Sequence, residues 1–555
     1  MPIPEKRTGA TSSADQWHVH ALVFGFALIA QLLAYGPGVN LYDEGIILVG
    51  ADSIRAGKLP YRDFWTMYGP GQFYLTAWLF NVFGAVPIVA RAIGIVSKSA
   101  IVLAIYAGVR RTSGGLLALA GATLTLGILI GAKDDAFPIF PALALALLAM
   151  SLLEQGMAGR RCFLIAAGVT TGLAACFRHD LGVACVLAAA TTTLVQFATA
   201  SPPGQVRRAL LSAGGAIGYY VAGVATVVLP VSAVLLVSIP APDLWENLVR
   251  IPFFVYPRVR SLPWPGVDAL RSSIQNLDNV GLFSVYVPFG ASALAAAVWA
   301  RRPGAHSARG VEPTRAVDDG SFLVLLTGAT SVLFAAKGLV RVSPLHMAPA
   351  IVLSVLLLAW SISQVSQKGG VQKTAVMGGS LFLVAILGVA SAPGIRDVGT
   401  GLQDLGSGKS VLASACSDPV LPRLTCGRAD PDYVRAALFV KETTREGDRI
   451  YVGVGRHDKI FVNAVAFYFL VERRPVTKWY ELHPGVQTES RIQRQIVAEM
   501  QGNPPRLLIL DDRWDDVEEP NLSSVPSGVT LLDDYIARRY KEIRRFGTVR
   551  VLAER

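Results

Sequence analysis

Eleven long apolar runs fill most of the first 395 residues, and they constrain the fold more than any other feature. A helix needs about 20 apolar residues to cross a bilayer. The chain has 555 residues, of which 52% are hydrophobic and only 16% charged, which is too apolar for a soluble protein. We therefore predict a polytopic α-helical membrane protein of about 11 spans, at 20–38, 86–109, 115–132, 138–153, 162–177, 181–200, 209–237, 281–300, 320–336, 347–364 and 375–392.

The remainder of the chain has the composition of an ordinary soluble domain. Within it, strand-like and helical runs alternate, which is typical of a small α/β domain. The strand-like runs are Arg449–Val454, Arg506–Leu510 and Thr548–Leu552, and the helical ones are Tyr433–Lys441 and Ser490–Met500. We predict a transmembrane domain at 1–395, with an external loop at 39–85, and a soluble α/β domain at 396–555.

Basic residues mark alternate loops and predict the orientation of the chain. They lie at Lys6-Arg7, Arg110-Arg111, Arg160-Arg161, Arg207-Arg208, 301–315 and Lys368/Lys373. By the positive-inside rule these loops are cytoplasmic, so much of the net charge of +11 sets orientation and does not indicate nucleic acid. The rule predicts a multi-pass protein of the plasma (inner) membrane, with a cytoplasmic N-terminus and an extracytoplasmic C-terminal domain. In that oxidising compartment Cys416 and Cys426 could form a disulfide, although the sequence does not fix their geometry.

Acidic residues fall on the opposite face from the basic loops. Asp43-Glu44 opens the long external loop, Asp134-Asp135 lies between two spans, and Asp180 lies in a short turn. Each has a simple structural interpretation, as a helix N-cap pair or a polar turn. Each also has a functional one: Asp43 and Glu44 as catalytic carboxylates, Asp134 and Asp135 as ligands of a divalent cation, and Asp180 as a group that positions the substrate.

The external loop also carries an apolar stretch, and cations follow on the same face. Ile46, Ile47, Leu48, Val49 and Ile54 form an amphipathic helical pattern that we predict to lie along the membrane surface. Guanidinium groups bind phosphate in bidentate fashion, and an ionisable side chain within a span faces the protein interior. The candidate phosphate ligands are Arg178, Arg258, Arg260, Arg341, His346 and Lys98, the last of which is near the middle of the second span. Acids and cations on one membrane face suit a phosphate-bearing lipid that reacts there.

These motifs resemble those of the GT-C superfamily of integral-membrane glycosyltransferases, in particular the protein O-mannosyltransferase-like and aminoarabinose-transferase-like branch. The resemblance covers the topology of nearly the whole chain, and the specific motifs cover 1–135. It implies transfer of a sugar from a polyprenyl-phosphate donor to a glycan, lipid or protein acceptor outside the cytoplasm. It also implies Asp43 as the general base, with Glu44 assisting it or taking that role. Asp134 and Asp135 would hold donor, acceptor or metal. No cofactor is expected other than a divalent cation.

Two other classes of function stay open. A lipid transporter or flippase would use ionisable groups such as Lys98 and the glycine-rich span around Gly214. The absence of an internal repeat and the clustering of acids at one interface favour the transferase. The third class is a non-catalytic envelope assembly factor. The sugar, the acceptor and the oligomeric state cannot be read from the sequence.

Overall fold

The computed structural model describes residues 13–200, 205–301, 320–366, 371–410, 412, 414, 416 and 420–555. The helices of its first part are α1 (Ser13–Leu33), α2 (Asp43–Arg55), α3 (Pro70–Phe83), α4 (Pro87–Ser113), α5 (Gly115–Gly131), α6 (Ile139–Met157), α7 (Arg161–Phe177), α8 (His179–Ala200), α9 (Val206–Ser238), α10 (Ala241–Trp245), α11 (Tyr256–Arg260), α12 (Val267–Gln275), α13 (Val287–Ala300), α14 (Ser321–Gly338), α15 (Pro344–Ser366) and α16 (Val371–Gly406). A π-helical segment, Glu246–Val255, precedes α11, and a 3-10 segment, Leu277–Tyr286, precedes α13.

The membrane architecture agrees with the predicted spans. In the described part, eight helices are long and apolar enough to cross a bilayer. Three shorter apolar helices, Trp17–Leu33, Gly115–Gly131 and Arg161–Phe177, coincide with the remaining predicted spans. Their buried faces join in one large apolar core that runs through α1, α4, α5, α6, α14 and α15. The prediction of a polytopic helical membrane protein is confirmed.

The C-terminal part is a small α/β domain, as predicted. Its five-stranded sheet has the order β2-β1-β3-β5-β4, in which β1 pairs in parallel with β2 and β3 while β5 is antiparallel to β3 and β4. The strands are β1 (Arg449–Val454), β2 (Arg474–Pro475), β3 (Leu507–Asp511), β4 (Tyr540–Phe546) and β5 (Val549–Glu554). The helices are α17 (Pro431–Thr443), α18 (Ala466–Val471), α19 (Ser490–Gly502) and α20 (Leu531–Arg539).

The external loop folds into α2 and α3, and its apolar stretch does not lie along the membrane surface. Ile46, Ile47, Leu48 and Val49 are buried in a core shared with the C-terminal domain. A Cβ at Gly45 would come within 2.3 Å of the Ala466 nitrogen, so the two backbones touch at a position that only glycine allows. The prediction of a surface helix was wrong because the amphipathic pattern cannot distinguish lipid from a second protein domain.

The boundary between the two parts is less sharp than the composition suggests. Helix α16 continues to Gly406, so the predicted boundary at 395/396 falls inside it. Beyond it, a disulfide joins Cys416 and Cys426. The Tyr35 hydroxyl donates to the Cys426 carbonyl, and Val39 N donates to Arg428 O at 2.7 Å. These bonds attach the segment around the disulfide to the start of the external loop.

Candidate active site

The first turn of α2 presents two adjacent carboxylates in different surroundings. Asn40 shapes the turn, since its Oδ1 accepts from Tyr42 N at 3.0 Å and from Asp43 N at 3.2 Å. Successive residues of a helix point about 100° apart, so Asp43 and Glu44 face different neighbours. The sequence does not distinguish the two acids, but their contacts differ.

Glu44 is fully engaged in a buried ion pair with Arg91 of α4. Arg91 Nε donates to Oε1 at 2.6 Å and Nη2 to Oε2 at 2.7 Å, and both side chains are buried. Arg91 also donates to Gly36 O and Gly38 O, each at 2.8 Å. This arrangement fixes the loop that leads into α2. Both carboxylate oxygens of Glu44 are occupied by these bonds, which favours Asp43 as the base, and a role for Glu44 as the base stays a prediction.

Asp43 is half-buried and, among the described residues, has no ion pair within 4 Å. Burial raises the pKa of Asp43, and the negative charge of Glu481 raises it further. The charges of His483 and Arg260 act in the opposite direction but do not cancel the increase. A carboxylate with a raised pKa is a stronger base than an ordinary aspartate. Asp43 therefore has the environment expected of a general base.

The Asp134-Asp135 motif lies in a tight turn that α4 holds in place. Lys133 and Asp134 have positive φ angles of 51° and 47°, and a Cβ at Gly94 would lie 1.8 Å from Asp135 O. Lys98 Nζ donates to Lys133 O and to Asp135 Oδ1, each at 2.6 Å, and lies 4.2 Å from the centre of the Phe140 ring. Lys98 is fully buried, and its two bonds hold this turn, whereas its predicted binding of phosphate stays a prediction.

The turn brings Asp134 close to Asp43. Asn40 Nδ2 donates to Asp134 Oδ1 at 3.2 Å, so the residue that shapes the start of α2 also contacts the second acidic motif. Burial raises the pKa of Asp134 to about 6, and the charge of Asp43 contributes to this shift. The two motifs that the sequence separates by ninety residues therefore form one acidic cluster.

Four of the predicted cation-site residues lie in one region, the chamber, which Arg178, Arg260, Arg341 and His346 share with Asp43. Arg178 binds Asp180 through Nε and Nη2 at 3.0 and 2.6 Å, and Lys337 Nζ lies 3.6 Å from Asp180 Oδ2. His346 lies among Arg178, Lys337, Arg341 and Arg260. Arg258, by contrast, is exposed although it is only two residues from Arg260, and no contact with a described residue places it in the chamber.

Arg260 and Arg341 share one carboxylate that no sequence motif revealed, Glu519 of the C-terminal domain. Arg341 donates to both Glu519 oxygens and, at 3.0 Å, to Arg260 O. Arg260 Nη1 lies 3.2 Å from Glu519 Oε2, an ion pair without hydrogen-bond geometry. Burial alone would raise the pKa of Glu519. Hydrogen bonds from Arg341 and Asn521 and the charge of Arg260 outweigh burial and lower this pKa to about 2.

Arg260 is the cation best prepared for an incoming anion. It is buried, its guanidinium lies 4.8 Å from the centre of the Phe461 ring, and its Nε and Nη1 have no hydrogen-bond partner in the described part of the chain. Unsatisfied buried donors are costly and in native proteins indicate a ligand. The charges of both Arg260 and Arg341 act on Asp43, so the two guanidinium groups lie near enough to the candidate base to interact with it electrostatically.

A second acid and its histidine border Asp43 and were also missed. Glu481 Oε1 lies 2.5 Å from His483 Nε2, and Glu481 is buried with its Oε2 unpartnered among described residues. His483 packs against Trp65 of the external loop. Both residues lie in the C-terminal domain, where no motif marks them. Asn463 and Tyr468, in contrast, bond the backbone of their own domain, as ordinary domain residues do.

The acidic pair does not fit a metal ion as it is arranged. Asp135 already binds the Lys98 ammonium, and Asp134 binds an amide. Within the described ranges, no three His, Cys, Asp or Glu side chains converge as metal ligands do.

Comparisons with known proteins identify the fold. No protein-family model matches the chain, and no significant match exists among curated proteins. The structure of ArnT from Cupriavidus metallidurans in the apo state is similar, with a TM-score of 0.55, 14% identity and 98% of each chain covered. ArnT bound to undecaprenyl phosphate gives a TM-score of 0.50 at the same identity and coverage. The Archaeoglobus fulgidus oligosaccharyltransferase gives 0.49 at 13% identity, over 90% of this chain and 70% of that one. The chain has the fold of ArnT, and the predicted fold, a polytopic helical membrane protein with a small C-terminal α/β domain, is confirmed.

Proposed function

We propose that this chain is a glycosyltransferase that moves a sugar from a polyprenyl-phosphate donor to an acceptor at the membrane face that carries Asp43. The observation that supports this most directly is that a candidate base and two candidate phosphate ligands lie close together as separate groups. Asp43 has a raised pKa and no ion pair within the described part, while Arg260 and Arg341 are near enough for their charges to act on it. A base beside a phosphate site is what transfer from a lipid phosphate requires.

In the proposed reaction Asp43 takes the proton of the acceptor hydroxyl. The acceptor oxygen forms a bond to the anomeric carbon as the bond from that carbon to the phosphate oxygen breaks. The electron pair of the broken bond leaves with the polyprenyl phosphate. Direct displacement of this kind inverts the anomeric carbon.

The departing phosphate carries the developing negative charge, and the cations of the chamber would stabilise it. Arg260 offers unpartnered donors, and Arg341 can exchange part of its contact with Glu519 for phosphate. Arg178 and Lys337 both pair with Asp180, so these three side chains together add a net positive charge. Stabilisation of developing charge by such preorganised groups is commonly the main source of an enzyme's rate enhancement.

Lipid carrier, orientation and location are part of the same proposal. ArnT shares the fold and has been crystallised with undecaprenyl phosphate, which supports a polyprenyl-phosphate donor here. The basic loops support a cytoplasmic N-terminus and an external C-terminal domain. The acceptor would then reach the chamber from outside the cytoplasm, between the external loop and the C-terminal domain.

The test is sugar transfer from a panel of polyprenyl-phosphate sugars by purified protein in detergent. We expect transfer by the wild type and almost none by Asp43→Asn, whereas the control variant Asp52→Asn, nine residues further along the same helix and paired with Arg55, stays active. Wild-type protein that binds these lipids but transfers no sugar, or moves them across vesicles, would refute the proposal in favour of a transporter.

A further inference from the structure

A cavity of about 770 Å³ lies between α1, α4, α6, α14 and α15, away from the active site. Its walls are mostly apolar and include Ala104, Leu148, Leu323 and Leu356. Leu148 is 49% exposed, so the cavity opens sideways between membrane helices. Because hydrocarbon surrounds such helices, an acyl chain is the group available to fill it.

The cavity lies at the membrane face opposite Asp43. Arg91 marks the active-site end of α4, and Arg110, which lines the cavity, is nineteen residues further along. At 1.5 Å per residue the two are about 28 Å apart, close to the hydrocarbon thickness of about 30 Å. Arg110 is therefore at the depth where phospholipid phosphates lie.

The rim of the cavity carries an uncompensated positive charge. Arg111 is neutralised by Glu154, with Nη1 2.8 Å from Oε2. Arg110 donates to the Tyr106 hydroxyl at 2.9 Å and, among the residues the structure describes, pairs with no carboxylate. His20 also lines the rim. Basic rims above apolar pockets between membrane helices bind anionic lipid headgroups.

We propose that this cavity is a specific site for an anionic glycerophospholipid, with an acyl chain between α4 and α6 and the headgroup phosphate on Arg110. A zwitterionic lipid would fill the apolar walls equally well, but its own cation would offset the attraction of its phosphate to Arg110. The site is distinct from the donor site because it opens at the other membrane face. It would stabilise the packing of α4, the helix that holds Glu44 and Asp135.

The test is native mass spectrometry of full-length protein from nanodiscs with equal amounts of phosphatidylglycerol and phosphatidylcholine. We expect the wild type to retain phosphatidylglycerol in about fivefold excess, the effect of one interfacial cation. Arg110→Gln abolishes the preference, whereas Arg207→Gln keeps it, because Arg207 is exposed at the start of α9, on the same face but outside the cavity. An unchanged preference in Arg110→Gln, or an equal loss in Arg207→Gln, overturns the proposal.

A second variant tests the cavity itself without removing charge. Ala104→Leu narrows the apolar wall, so we expect less bound lipid of both kinds and a normal melting temperature in lipid-free detergent. Lipid retained by Ala104→Leu at the wild-type level places the bound molecule elsewhere and overturns the proposal even if Arg110→Gln fails to fold.

Discussion

Replacing each of the two adjacent acids of α2 separates their roles. Glu44→Gln removes the charge that pairs with Arg91, whereas Asp43→Asn removes a carboxylate that has no cation partner in the described structure. We expect the first change to lower stability and leave the chemical step largely intact. We expect the second to abolish transfer and leave stability unchanged or slightly higher.

The magnitude of the first effect follows from burial and the remaining contacts. The Arg91 and Glu44 side chains are 6% and 5% exposed, so the guanidinium cannot recover its partner from water. Loss of one partner of a buried pair costs roughly 3–5 kcal/mol. Arg91 keeps its bonds to Gly36 O and Gly38 O, which favours the lower end. About 3 kcal/mol lowers the melting temperature by roughly 6–12 °C for a cooperative unit of about 200 residues.

The sign of the second effect follows from the pKa of Asp43. Because burial raises this pKa in the folded state, folding favours the protonated form, and the ionised carboxylate destabilises the fold above the raised pKa. A neutral asparagine removes that penalty. Loss of a general base lowers kcat by roughly 10²–10⁴.

Both variants are compared with the wild type by melting in detergent and by single-turnover transfer. Activity of Glu44→Gln is measured well below its melting temperature. If Glu44→Gln melts like the wild type but has lost transfer, while Asp43→Asn keeps activity, the assignment of the base is refuted. Equal loss of activity without loss of stability in both would show that the acids act as one unit.

Three further changes test the rest of the chamber. Arg260→Gln should raise KM for the lipid donor at least about tenfold, because it removes a charge-assisted bond to the phosphate. The control Arg258→Gln, at an exposed residue, should leave KM unchanged. Equal effects of the two variants would refute a specific phosphate contact. The acid limb of the kcat/KM profile should lie above the ordinary aspartate range, because burial raises the pKa of Asp43. Asp134→Asn should move that limb to lower pH, because it removes a negative charge beside Asp43. A shift of the limb to higher pH would contradict this coupling. Lys98→Met should lower the free energy of unfolding by about 3 kcal/mol, because it leaves Asp135 unpaired. The double variant Lys98→Met with Asp135→Asn should recover part of that stability. Strictly additive losses of stability would show that the pair does not hold the turn.

The sequence was sufficient for the membrane spans because the length and apolarity of a span are local properties. The eleven predicted runs each coincide with an apolar helix, and β1 was predicted with its observed bounds. The amphipathic stretch around Ile47 was placed on lipid because periodicity reports a buried face and not what covers it. Here the cover is the C-terminal domain, more than four hundred residues further along the chain.

The candidate site was predictable only in its charged residue types. Arg260 and Arg341 were found because cations among aromatics and turns are conspicuous on an external face. Glu519 and Glu481 were missed because single acids in a soluble domain have no distinguishing pattern; only the tertiary contact of Glu519 with Arg341 marks it. Lys98 was recognised as an intramembrane charge, but its partner Asp135 could be identified only from the packing of the turn against α4.

Helix α4 explains why Asp43 is left without a cation partner in the described structure. Its two buried cations, seven residues apart, bind one acid from each motif, Arg91 taking Glu44 and Lys98 taking Asp135. These pairs fix the spacing of the remaining acids, Asp43 and Asp134, while the cations that face the chamber come from other elements. If Arg91 paired with Asp43 instead, the attraction would lower its pKa and weaken it as a base. The ion pairs of α4 therefore stabilise the frame of the site and preserve the basicity of the one carboxylate that the proposed reaction uses.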